Sequence, residues 1–170
     1  VYMPKRFNIG FYGGEPTLNF QLISDVVNYI EKIKCNINRE ITYSMTTNGL
    51  LLHKYMDYFQ KHNFSLLISL DGDEKANSYR VDTLGNPVFE RVVHNIRLLQ
   101  NKYPEYYHNK VGFNSVLNNR STASSVNNYI SDTFGKIPNI SPMTDSYVNK
   151  NMLDKFKEIS STCIDIDSLT

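Results

Sequence analysis

Strand-like and helix-like segments alternate along most of this chain, and that alternation is the strongest constraint on its fold. Arg6 to Tyr12 alternates apolar and polar residues and stops at Gly13-Gly14, which reads as a strand. From Thr17 to about Lys34, Leu18, Leu22, Val26, Tyr29, Ile30 and Ile33 recur at helical spacing. Ile41 to Met45 reads as a second strand, closed by Thr46-Thr47-Asn48-Gly49. Leu51 to His62 places Leu52, Tyr55, Met56 and Phe59 on one helical face. Phe64 to Leu70 is a third strand, ended by Asp71-Gly72, and 71 to 87 reads as a long loop. Val88 to Asn101 predicts a helix, Val111 to Leu117 a fourth strand, and Thr122 to Phe134 a further helix. Ile137 to Pro142 is a candidate fifth strand and Asn149 to Cys163 a final helix. Tyr103 to Tyr107 reads as an aromatic loop for packing or an interface rather than a stacking platform for bases. This rhythm implies an α/β fold, a parallel sheet with crossover helices. A doubly wound sheet and a (β/α) barrel both satisfy it, and both place ligand sites at the carboxyl ends of strands.

Composition bounds the function. At 170 residues the chain suits one domain, or a piece of a larger one, covering 1–170. Its 41% hydrophobic and 12% aromatic residues supply enough apolar surface for a core. With 18 basic against 17 acidic side chains it lacks the basic excess of a nucleic-acid binder. No apolar run approaches the ~18 residues that span a bilayer, so no membrane partner is expected. Cys35 and Cys163 are too far apart for a CxxC knuckle, and a reducing, cytoplasmic setting fits them.

The residues following each strand carry the candidate chemistry. Paired glycines at 13 and 14 allow a sharp bend and close ligand approach. Pro16 suits a first helical turn, where its missing N–H costs nothing. Glu15 has two readings: a carboxylate favouring a helix N-terminus, or an acceptor for a ligand ammonium group. Asn48-Gly49 is a turn pair. Asp71-Gly72-Asp73 matches both an ordinary turn and a DxD cation site. Arg80, in the loop beyond, offers a planar fork suited to a carboxylate. His53, His62, His94 and His108 have no partner at metal spacing, and no Ser/His/Asp set is legible.

In combination, FYGGEPTL after one strand, YSMTTNGLL across the next and ISLDG at the third resemble the radical S-adenosylmethionine (radical SAM) superfamily. The likeness extends from about residue 7 to residue 135, with Arg80, Gly85, Phe89 and the strand near Phe113 to Asn119 also similar. It is strongest to the branch of anaerobic sulfatase-maturating enzymes and peptide maturases with a SPASM extension. The resemblance implies a partial (β/α) TIM-type barrel. It implies that Gly13, Gly14, Glu15 and Pro16 bind the methionyl amino end of SAM and that Ser69 and Arg80 bind its carboxylate. Asn48 and Asp71 would line the cavity. Tyr12 stands where some relatives carry glutamine, and the loop from Ser69 to Arg80 is one residue shorter than the sulfatase-maturating pattern.

The implied reaction is cleavage of SAM by a reduced [4Fe–4S] cluster to a 5′-deoxyadenosyl radical, acting on a peptide or protein substrate. The cluster needs a CxxxCxxC motif, and this sequence has none, with Cys35 and Cys163 at the wrong spacing. Two explanations fit: a degenerate homologue that has lost the cluster, or, since the chain opens on Val1-Tyr2, the favoured expectation of a fragment beginning after the cluster loop, inactive alone, with no metal site of its own. An uncovered parallel edge would then favour a dimer. Two rivals remain: a nucleotide-sugar glycosyltransferase using Asp71 and Asp73, and a non-catalytic α/β scaffold.

Overall fold

The computed structural model describes residues 6–34, 40–144 and 150–160. The expectations for Val1, Cys35, Cys163 and the end of the last helix lie outside them. The chain packs as two compact units. One takes the chain up to Ile68 together with Arg91–Val111; the other takes Ser69–Glu90 and the chain from Gly112 onward.

The first unit holds β1 (Arg6–Phe11), β2 (Glu40–Thr47) and β3 (Ser65–Ser69, except its last residue). β1 pairs parallel with β2, with Phe11 opposite Met45, and β2 pairs parallel with β3, with Thr47 opposite Ile68. Helices α1 (Phe20–Lys34), α2 (Leu52–Lys61), α4 (Phe89–Lys102) and α5 (Pro104–Lys110) belong to this unit, apart from the first two residues of α4; α3 is introduced below. On β2 the burial alternates, with Tyr43, Met45 and Thr47 inward, as period two requires. Phe20 stacks on Tyr55 at 3.9 Å between centroids; both meet the fully buried Phe59, which in turn packs on the fully buried Phe64.

The buried stripe of α1 is not the one the spacing suggests. Ile23 and Val27 are buried, while Leu18 is 79% and Leu22 56% exposed. Two apolar stripes run along this helix, and periodicity cannot say which one meets the sheet. Tyr103 to Tyr107 also differs from expectation. Pro104 starts the helix α5, because its fixed φ suits a first turn. That helix buries Tyr106, whose hydroxyl donates to the Phe64 carbonyl at 2.8 Å.

Burial pushes the phenols of Tyr43, Tyr106 and Tyr107 above their ordinary value, with the Glu31 carboxylate adding to the effect at Tyr43. A pKa raised in the folded state gives stability that is complete below about 10 and falls as pH rises past it. We expect alkaline unfolding, with tyrosinate absorbance and loss of helical circular dichroism rising together. Ionisation of all phenols with the fold intact would contradict this.

Gly49 closes the turn after β2 with φ of 77°, and a Cβ there would lie 3.1 Å from Val92 Cγ1 and 3.3 Å from Ile68 Cγ2. The buried Asn95 side chain donates to the Gly49 and Leu50 carbonyls, both at 3.0 Å, and so holds the turn against α4. Gly49→Ala is expected to cost about 1–3 kcal/mol, from a strained φ and the two contacts. The urea midpoint measures it, and an unchanged midpoint would refute the steric account.

The second unit starts as β3 ends. Leu70 N donates to the Asn114 carbonyl of β4 (Val111–Val116), and β4 pairs parallel with β5 (Asn139–Ser141). Strand order therefore follows chain order within each unit. Residues 71–87 are more ordered than a plain loop. Asp73 caps the short helix α3 (Glu74–Asn77) by accepting from Ala76 N, and Val81 bridges Pro87 in antiparallel fashion. The reason is local polar chemistry: Asp82 Oδ1 accepts from Leu84 N and Asn86 N, folding a tight turn around Gly85. Helix α6 (Ala123–Phe134) has a capping box between Thr122 and Ser125 and buries Val126, Ile130 and Phe134. Helix α7 (Leu153–Ser160) follows. Among the described residues no helix is long and apolar enough to cross a membrane.

Candidate functional site

Parallel strands put all their carboxyl ends on one side, so the turns after β1 and β2 lie close together. The sequence at the first turn is Gly13-Gly14-Glu15-Pro16. Gly13 has φ of 142°, a conformation that a side chain rarely adopts, and a Cβ on Gly13 or Gly14 would meet nothing within 4 Å. The backbone here is bare. A cavity of about 310 Å³ opens beside it, lined by Phe11, Tyr12, Gly13, Gly14, Pro16 and Leu22 among others.

Glu15 is an N-cap, as the first of its two readings held, and it does more than cap. It is extended at φ −144° and ψ 105° and precedes a 3-10 turn, Pro16–Asn19, that leads into α1. Its Oε1 accepts from Thr17 N at 3.1 Å, Thr17 Oγ1 at 2.5 Å and Thr47 Oγ1 at 2.9 Å. Its Oε2 accepts from Asn48 N at 2.6 Å. A carboxylate offers about four lone-pair sites, so Oε2 keeps one for a further donor. Asn48 bends its own turn by accepting from Leu50 N at 3.0 Å. The structure thus brings Glu15 and Asn48 together. Thr17 and Thr47, both buried, are partners of Glu15 that sequence reasoning missed. Their signal was present in the EPT and TTN tripeptides, where each threonine borders a turn.

In the second unit Asp71 and Arg80 form a bidentate pair. Arg80 Nε donates to Asp71 Oδ2 and Nη2 to Oδ1, both at 2.7 Å. Asp71 Oδ1 also accepts from Val116 N at 2.9 Å, and Asp71 N donates to Asn77 Oδ1. The Asp71 side chain is only 8% exposed, so its charge is matched where water cannot help. Arg80 is 29% exposed and has N–H donors beyond the two used on Asp71. Ser69 is half-buried at the end of β3.

The DxD reading does not survive this geometry. Asp71 is committed to Arg80 and Val116, Asp73 caps α3, and no cluster of three metal-ligating side chains exists among the described residues. The four histidines take part in no such cluster among the described residues.

Comparisons with known proteins place the chain. The family model "Radical SAM superfamily" matches residues 3–122. The radical SAM cyclopropyl synthase TigE of Paramaledivibacter caminithermalis is 32% identical over 130 residues, 75% of this chain and 25% of that protein. An uncharacterised protein of Methanocaldococcus jannaschii, MJ0907, is 34% identical over 86 residues, 50% of this chain and 29% of its own length. The chain therefore spans less than a third of these relatives. Among solved structures, native anSMEcpe with bound AdoMet and Kp18Cys peptide superposes with a TM-score of 0.71 at 22% identity, over 86% of this chain and 41% of that one. Native anSMEcpe with bound AdoMet gives a TM-score of 0.72 at 22% identity, over 87% and 40%. These neighbours show the fold: α/β, a partial (β/α) barrel with a parallel sheet and crossover helices. With the glycine-lined turn after β1 and a family match over most of its length, the chain belongs to the radical SAM superfamily.

Proposed function

We propose that this chain is the SAM-binding part of an enzyme that modifies a peptide or protein by radical chemistry. The observation that carries the reading is the Glu15 turn. It offers bare glycine backbone and a carboxylate with one acceptor site open, the partners that an ammonium group needs. Gly13, Gly14, Glu15 and Pro16 would hold the amino end of SAM, with Asn48 fixing the turn behind them. Arg80, through its N–H groups not used by Asp71, and Ser69 would hold the carboxylate. When bound, SAM supplies a hydrogen-abstracting radical upon one-electron reduction. The protein's own part is to bind, orient and keep the site dry. A [4Fe–4S] cluster does not fit the residues present, because three thiolates are needed and the sequence holds two distant cysteines. The peptide class is supported by the bound peptides of the anSMEcpe structures, which belong to those proteins. A cytoplasmic location completes the reading.

The test uses the full-length protein isolated without oxygen. SAM should bind, and 5′-deoxyadenosine should form on reduction. Absence of SAM binding, or metal-dependent binding of a nucleotide sugar in its place, would overturn the proposal.

A further inference from the structure

Arg120 stands four residues beyond the end of β4, on the side of the sheet where ligand sites of such folds lie. It is exposed, and unlike Arg6 and Arg80 it makes no hydrogen bond or ion pair with a carboxylate among the described residues. Neutral groups hold it instead. Its Nη1 donates to Ser78 Oγ, and its guanidinium lies 4.1 Å from the centroid of the Tyr79 ring. Tyr79 is itself fixed, because its hydroxyl donates to Asn119 Oδ1 at 3.0 Å. The Arg120 backbone is held as well, its N–H donating to Asn118 Oδ1 at 2.9 Å.

This is an unneutralised cation with its plane already oriented. Long arginine side chains usually lose rotamer freedom when they bind, and here that loss has been met by folding. One guanidinium face is spent on the ring, while Nε and Nη2 have no partner among the described residues. A planar fork with a free edge matches a carboxylate bidentately. Tyr79 directly precedes Arg80, so the same loop carries the Asp71–Arg80 pair and the Arg120 platform.

We infer that Arg120, seated on Tyr79, recognises a carboxylate of the peptide substrate, from an acidic side chain or a C-terminus. The peptide reading of the preceding subsection underlies this, while SAM binding does not.

Calorimetric titration of the full-length protein tests it with three probes: acetyl-Gly-Glu-Gly-amide, its Gln counterpart, and acetyl-Gly-Gly-Gly free acid. The Glu peptide or the free acid should bind about tenfold tighter than the Gln peptide, and whichever does so names the source of the carboxylate. Arg120→Gln should remove that preference with SAM affinity unchanged. Arg120→Lys should restore part of it, since the charge returns without the fork. Equal binding of all three probes, no measurable binding, or an unaltered preference in Arg120→Gln would overturn the inference. Loss of SAM binding in the unmodified protein would overturn the proposed function alone, because the probe preference is read separately.

Discussion

Glu15→Ala should lower the stability of the fold by about 2–4 kcal/mol and abolish SAM binding. The carboxylate accepts from two backbone N–H groups and two threonine hydroxyls. Thr17 and Thr47 are 1% and 2% exposed, so water reaches their orphaned donors poorly. A buried donor left unsatisfied costs about 1–3 kcal/mol, and loss of the N-cap alone costs about 1. Rotation of the hydroxyls and entry of one water keep the total below the simple sum. Glu15→Gln separates the two roles. Its single oxygen can take the three donors at Oε1, but its NH₂ group then faces the Asn48 N–H. It should recover more than half of the stability and little of the SAM affinity. Thermal unfolding with equilibrium SAM binding reads both quantities. A stable Glu15→Ala protein would show that the turn is held by something other than this carboxylate.

The second large effect is expected at Asp71 and Arg80. Arg80→Ala strands a carboxylate whose side chain is 8% exposed, leaving it the Val116 N–H as its charge-stabilising partner. Breaking such a pair from one side costs about 3–5 kcal/mol, because the remaining charge stays buried. Asp71→Ala should cost less, about 2–4 kcal/mol, since Arg80 is 29% exposed and can turn its guanidinium to water. Arg80→Lys keeps the charge and loses the fork, and should fall between wild type and Arg80→Ala. The exposed pair of Arg6 and Glu40, at 70% and 55% side-chain exposure, is the control; breaking it should cost under about 1 kcal/mol. Chemical denaturation of the single and double variants measures the coupling. Additive losses at Asp71 and Arg80 would mean that the two groups act independently.

Much of the architecture was legible because parallel α/β chains advertise themselves. Buried strands read as short apolar runs, crossover helices carry a stripe of period 3.6, and glycine-rich turns divide them. The five strands lie where that pattern places them. The errors sit where pattern is silent. Leu18 falls in the 3-10 turn before α1 and Leu22 on its outer side, since α1 carries two stripes and only packing selects one. Tyr103 to Tyr107 reads as a loop, yet Pro104 at a first helical position starts a helix there. In residues 71–87, α3 and the Asp82 turn are built from side-chain-to-backbone bonds that leave no periodicity to detect.

For the site, the sequence by itself determined the residue types, their order and the strand ends that carry them, and with these the superfamily. It could not determine what each group is bonded to. Glu15 reaches Thr47 and Asn48 across more than thirty residues, and Val116 donates to Asp71 across 45. Such contacts exist only once parallel strands bring their carboxyl ends side by side. Hydrogen bonding depends on distances of about 3 Å, which sequence separation does not encode. Tertiary structure alone decided that Glu15 is a brace as well as a candidate ligand, that Asp71 is spent on Arg80, and that Arg120 is the oriented cation left without a carboxylate.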